Sequence, residues 1–252
     1  MTQPGGKPPA AGPGGGGLPE IDLREYGGKK DGERQSMDRR LFMSLTVVDA
    51  ASTKDDVASA LSMLAVQSKL PHVVYADSAS PTGAALLSWS EDPAHFATTV
   101  RRLFREVPAC TVRPGWAMLG RTYATGNEPD LAFTLLERPI KNVLEDAWPW
   151  HVWYPLRRTG DFARLDAAAQ GEILREHAQI GFAYGQRGLA SDVRLACHGL
   201  DASDNEFVIG LVGPRLENLS HLVQTMRKTR QTSEFVASMG PFFVGRVLSR
   251  SR

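Results

Sequence analysis

WPWHVWYPLRR, residues 148–158, carries three of the chain's five tryptophans, a tyrosine, a proline and two arginines. Its rings and β-branched residues make HVWYPLRR a strand. Strand geometry alternates its side chains. Trp148, Trp150, Val152, Tyr154 and Arg158 then share one parity. His151, Trp153, Pro155 and Arg157 share the other, so the segment divides into a packing set and a set free for other work.

Working outward, FARLDAAAQGEILREHAQIGFAYG (162–185) reads as one long helix. SDVRLACHG and NEFVIGLVG follow as two strands around the turn LDASD. PRLENLSHLVQTMRKTRQ is a helix with Pro214 at its start, and PFFVGRVL is the last strand. The first half has the same order. RRLFMSLTVV is a strand, KDDVASALSMLAVQ a helix, and HVVYAD and GAALLSWS two strands. DPAHFATTVRRLFREV is a second helix, and TVRPGWAMLGRTYA a strand interrupted at Pro114–Gly115. The expected fold is α+β, with two tandem ferredoxin-like βαββαβ repeats and antiparallel sheets. Residues 1–37 are read as a disordered Gly/Pro-rich tail and arm. The N-terminal repeat spans 38–124, a linker 125–147, and the C-terminal repeat 148–252.

The 252 residues carry a net charge of +1, which gives no general electrostatic pull toward nucleic acid or membrane. No apolar run reaches the roughly 20 residues of a membrane helix, and the N-terminus lacks the apolar segment of a signal peptide. Two cysteines form neither a metal spacing nor a disulfide framework, which points to the cytoplasm.

His72, His95 and His221 stand without spaced partners, and His151 lies within the opening strand. His177 differs, because Ile173, Leu174, His177, Ile180, Gly181 and Tyr184 fall on one helix face. Two readings stand: a hydrogen-bonded core histidine, or a metal or haem ligand whose helix is kept low by small residues such as Gly181. Asp192, Arg194, Ala196 and His198 share one strand face that lines a pocket or meets solvent. GLDASDNEF lacks the alternating ligands and closing glutamate of a cation loop and is a turn.

WYPLRR, LREHAQIGFAYG, GLDASDNEFVIGL, LVQTMRKTR and PFFVG, in this order and spacing, resemble the chlorite dismutase-like superfamily of haem proteins. Within it they are most similar to the coproheme decarboxylases. The resemblance is close over 148–247 and rests on element order over 38–135. It implies a chlorite dismutase-like dimeric α+β barrel, haem b or coproheme in the C-terminal repeat, hydrogen peroxide as co-substrate, and a homopentamer. His177 holds the place of the proximal iron ligand, with Ala178 in place of a glycine. Tyr154–Pro155 matches the Tyr-Pro pair whose tyrosine forms the catalytic radical, and Arg158 matches a propionate contact. Arg157, Trp153 and Gly181 are further candidates against the cofactor.

The distal side departs from the pattern. Ala190, or Asp192 in a shifted alignment, stands where the family carries arginine or glutamine. Arg194 is then the candidate distal guanidinium. Glu137 occupies the place of a distal histidine, as a general base or as a solvated linker residue. Val212 replaces a glutamate that would accept from the proximal histidine. The implied reaction is peroxide-dependent decarboxylation of coproheme to haem b. A chlorite-decomposing or peroxidase-like enzyme and a non-catalytic haem-binding or haem-transfer protein are the alternatives.

Overall fold

The computed structural model describes residues 18, 20–107 and 110–252. Most of the tail expected to be disordered lies outside the described residues. The arm is partly ordered. β1 (Glu25–Lys30) and β2 (Glu33–Met37) form an antiparallel hairpin. Its turn is Asp31–Gly32, with φ of +53° and +88°. An Asp-Gly pair at positive φ suits a two-residue hairpin turn, and it is the sequence signal that the reading of this segment as an arm passed over.

The N-terminal repeat runs β3 (Phe42–Ala50), α1 (Val57–Gln67), β4 (His72–Asp77) and β5 (Gly83–Ser90). A π-helical turn (Phe96–Val100) leads into α2 (Arg101–Glu106), and β6 (Cys110–Arg121) follows. A second π-helical turn (Phe133–Glu137) and α3 (Arg138–Val143) occupy the expected linker. The C-terminal repeat runs β7 (Trp150–Arg158), α4 (Gly160–Arg164), α5 (Ala167–Gln186), β8 (Ser191–Ala196) and β9 (Phe207–Gly213). It continues with α6 (Leu216–Met226), α7 (Arg230–Phe235), β10 (Val236–Met239) and β11 (Phe243–Ser251). The single long helix expected over 162–185 is therefore broken at Leu165–Asp166. The Asp166 carboxylate caps α5 by accepting from Ala169 N at 2.8 Å, a bond that typically stabilises a helix by about 1 kcal/mol.

The strand order is β4-β5-β3-β6 in the first repeat and β8-β9-β7-β11 in the second, the same ferredoxin-like order twice. The sheets join edge to edge, β11 on β4 and β6 on β8, so eight antiparallel strands close into a barrel. Closure removes the open edges that two separate sheets would expose. The β6–β8 seam is tight: a Cβ on Gly120 would lie 2.7 Å from Leu195 Cβ.

One core fills the barrel and is shared by both repeats. Met43, Leu45, Tyr75 and Trp89 meet Trp153, Val193, Val212 and Phe243 there, all at most 3% exposed. His151 is buried with them, and its Nδ1 is hydrogen-bonded to the Tyr75 hydroxyl at 2.9 Å. Burial lowers its pKa to about 3, so the ring is neutral. The helices cover the outside. Every position of β7 from His151 to Leu156 is buried, because one of its faces looks into the barrel and the other lies under helices.

Candidate functional site

The two outer layers share a topology and differ in closure. Among the described residues, eleven apolar ones are buried under α1 and α2 and seven partly so. Under α5 and α6 the proportion reverses, with seven buried and eleven partly buried. The partly buried set includes Trp150, Ile180, Tyr184, Phe207, Ile209, Met226, Met239 and Phe242. An apolar layer that stays open to solvent beside large aromatic walls has the character of a ligand site.

The wall of this layer follows from strand register. Arg194, Ile209 and Tyr154 form one row across β8, β9 and β7. Asp192, Leu211 and Val152 form the next, and Ala196, Phe207 and Leu156 the third. Two inter-strand spacings separate Arg194 from Tyr154, about 10 Å between backbones. The wall is apolar across its width and polar at one side, on β8.

Tyr154 is 7% exposed, and its ring stacks on Phe242 with centroids 4.5 Å apart. Its hydroxyl has no hydrogen-bond partner among the described residues. Burial, and then the charge of Asp192, hold the phenol well above its usual pKa, with Arg227 pulling the other way. Tyr154 therefore stays protonated at physiological pH.

His177 stands on α5, one turn before Ile180 and Gly181. Its Nδ1 lies 3.3 Å from the Thr229 hydroxyl, which itself donates to Met226 O at 2.8 Å. Nε2 makes no hydrogen bond among the described residues. Burial, and next the positive charge of Arg194, lower the pKa of the ring and keep it neutral. Val212 packs inside the barrel, on the other sheet face. The partner of His177 is thus a hydroxyl rather than a carboxylate.

Arg194 and Asp192 face the layer together. Arg194 Nε bonds Asp192 Oδ2 at 3.0 Å, while Arg138 of α3 holds Oδ1. Burial alone would raise the Asp192 pKa; Arg194 and Arg138 outweigh it and hold the carboxyl below its usual range. Arg158 lies at the rim. Its Nε bonds Glu206 at 3.1 Å, and its guanidinium covers Phe207 and Phe162 at 4.8 and 4.5 Å.

Three expected site residues are not brought into this layer. Trp153 is fully buried in the barrel core, on the opposite face from Tyr154, so a role against the cofactor is corrected by strand parity. Arg157 shares that other parity; it is exposed and pairs with Asp204 at 3.4 Å. Glu137 ends the second π-helical turn, exposed in a surface groove with Lys30, Gln35 and Phe133. Its neighbour Arg138 is the one that reaches β8. Gly181 faces the layer, but a Cβ there would meet only Met226 Cε at 3.6 Å, so backbone approach does not demand glycine.

Two residues were missed. Arg138 sat in a segment read as linker, and no local pattern ties it to β8. Tyr123, just beyond β6, packs on Phe207 with centroids 5.5 Å apart. Burial raises its pKa, and the charges of Arg194 and Arg158 oppose the shift.

The comparisons agree with this architecture. A crystal structure of a putative chlorite dismutase superposes with a TM-score of 0.67 at 15% identity, covering 84% of this chain and 96% of its own. A protein from Thermus thermophilus, described as a novel heme-binding protein, gives 0.65 at 15% identity, over 84% and 92%. An arginine-to-glutamate variant of chlorite dismutase from Candidatus Nitrospira defluvii gives 0.64 at 14% identity, over 84% and 93%. At such identities the likeness is one of fold. No curated protein matches the chain in sequence. The family model named Chlorite dismutase matches residues 81–248, about two thirds of the chain, and the protein belongs to the chlorite dismutase family.

Proposed function

We propose that the protein binds an iron porphyrin between α5 and the β7–β9 wall and acts in the cytoplasm as a peroxide-dependent coproheme decarboxylase. The carrying observation is that a neutral imidazole with a free nitrogen and a protonated tyrosine open on one apolar layer. The donor set supports a porphyrin rather than a bare ion. No group of three or more His, Cys, Asp or Glu suited to a metal occurs among the described residues. A lone imidazole suits an iron whose other in-plane ligands come from a macrocycle. His177 would be that ligand, through Nε2. A hydroxyl partner leaves it a weaker electron donor than a carboxylate partner would, which disfavours chlorite chemistry.

A bound porphyrin iron would supply the two oxidising equivalents drawn from each hydrogen peroxide. The rest is the work of side chains. Tyr154 would give up its phenolic hydrogen to one of the two oxidising equivalents from each peroxide and recover a hydrogen atom from a propionate arm; the second equivalent would take the remaining electron as the arm loses carbon dioxide and becomes a vinyl group. Phe242 and the apolar wall fix the ring and exclude water. Arg158, anchored by Glu206, holds a carboxylate at the rim, since guanidinium groups pair with carboxylates bidentately. Arg194 is the cation that meets the oxidant. Its presence on the wall also favours a second reading, a chlorite-decomposing or peroxidase-like enzyme, which needs Arg194 but not Tyr154.

With coproheme and hydrogen peroxide, mass spectrometry is expected to show stepwise loss of two carboxyl groups, and Tyr154→Phe to abolish it. Full decarboxylation in that variant ends the radical role. Rapid oxygen release from chlorite would favour the second reading. No described helix is long and apolar enough to cross a membrane. We take the assembly to be a homopentamer, about five times the 27.5 kDa chain; light scattering that returned a clean monomer would refute it.

A further inference from the structure

Asp192 and Arg138 have no part in the reaction above; they are the two partners that hold Arg194 in a charged triad on the wall. Three elements build it. Arg194 and Asp192 share a face of β8, and Arg138 reaches across from α3. Asn142 of α3 separately clamps the strand: its Nδ2 donates to Asp192 O at 2.8 Å and to Ser191 Oγ at 3.0 Å. The backbone of β8 is therefore held without the carboxylate, and the Asp192 side chain is free for an electrostatic task. Solvent still reaches all three side chains, which are 31–43% exposed.

We propose that Asp192 is a specificity-determining residue that caps the charge of Arg194 and biases the site toward a neutral oxidant over an anionic one. The inference rests on the iron-porphyrin reading. With the carboxylate shared between two guanidiniums, the triad carries one net positive charge. The Nε–H of Arg194 is occupied by Asp192 and so is not offered to an incoming anion. Hydrogen peroxide is neutral and loses nothing by this arrangement. A chlorite-like anion meets a nearby negative charge and an arginine already engaged, and like charge in a partly desolvated site is costly. Arg138 sets the balance: by taking one carboxylate oxygen it keeps Asp192 from neutralising Arg194 fully.

The test is spectral titration of the haemin-loaded full chain with sodium azide, an anionic ligand, and with imidazole, a neutral one. Asp192→Asn adds one positive charge and is expected to tighten azide by about tenfold, the scale of one unit charge several ångströms away in a half-solvated site. Arg138→Gln removes one and is expected to weaken azide. Imidazole affinity should change by less than about threefold in both, since a neutral ligand gains little from an added charge. Opposite signs are not what loss of packing produces, since a loosened site shifts both ligands alike. Equal azide affinities in wild type and both variants, or shifts of the same sign, overturn the inference. Wild-type protein that takes up no haemin overturns the porphyrin reading, and this inference with it.

Discussion

Replacing His177 with alanine is expected to remove the five-coordinate ferric Soret band from haemin-loaded protein. Among the described residues no group of potential metal ligands stands ready to replace it, so the loss should be complete rather than graded. The wall opposite is built from Val152, Tyr154, Ile209 and Leu211, and its charged end offers a carboxylate already held by two arginines. The fold should survive. His177 is half-buried and contributes one weak hydrogen bond of 3.3 Å, so the unfolding free energy should move by no more than about 1 kcal/mol. Added imidazole should restore part of the band by entering the vacated space. An unchanged Soret spectrum in His177→Ala would remove the ligand assignment, and with it the reason to read the layer as a porphyrin site.

Trp153→Ala is expected to have the largest effect on stability, about 3–5 kcal/mol, read as a fall in the urea midpoint. Its side chain is 0% exposed at the centre of the barrel. The strand beside it is shaped to receive it: a Cβ on Gly210 would lie 2.6 Å from the indole ring. Tyr75, Phe243 and Val212 close the same space. Deletion would leave a cavity walled by both repeats, which the closed strand ladder prevents from collapsing. A stability loss below about 1 kcal/mol would mean that the barrel interior is not the shared core described above. Tyr154→Phe, one residue away, removes a hydroxyl from the open layer and should be nearly neutral for folding. The contrast between these neighbours is a direct measure of how β7 divides its faces.

The faces of β7 and α5 were legible in sequence because they depend on local periods, whereas the roles proposed for their residues come from the family resemblance. The alternation within WHVWYPLRR separated Tyr154 from Trp153 before any partner was known, and helical spacing put His177 on the face with Ile180, Gly181 and Tyr184. The strands β4 and β5 were readable to the residue because each is a short, mainly apolar stretch bounded by polar and turn residues. The π-helical turns, the break at Asp166 and the short β10 were not readable, since each is set by what the segment packs on.

The partners of these groups were hidden for a different reason. That Thr229 sits against His177, that Arg138 rather than Glu137 reaches the site, and that Tyr123 lies on Phe207 are contacts between residues 52, 54 and 84 positions apart. No local pattern encodes such pairs. By itself, the sequence determined the twofold βαββαβ order and which face of each element is apolar, because both follow from periods of 2 and 3.6 residues. Tertiary structure alone decided that the repeats close into one barrel with a common core, and that one helix layer is sealed while the other stays open. Those outcomes depend on how side chains of both halves fill a shared volume, a property that belongs to no single segment.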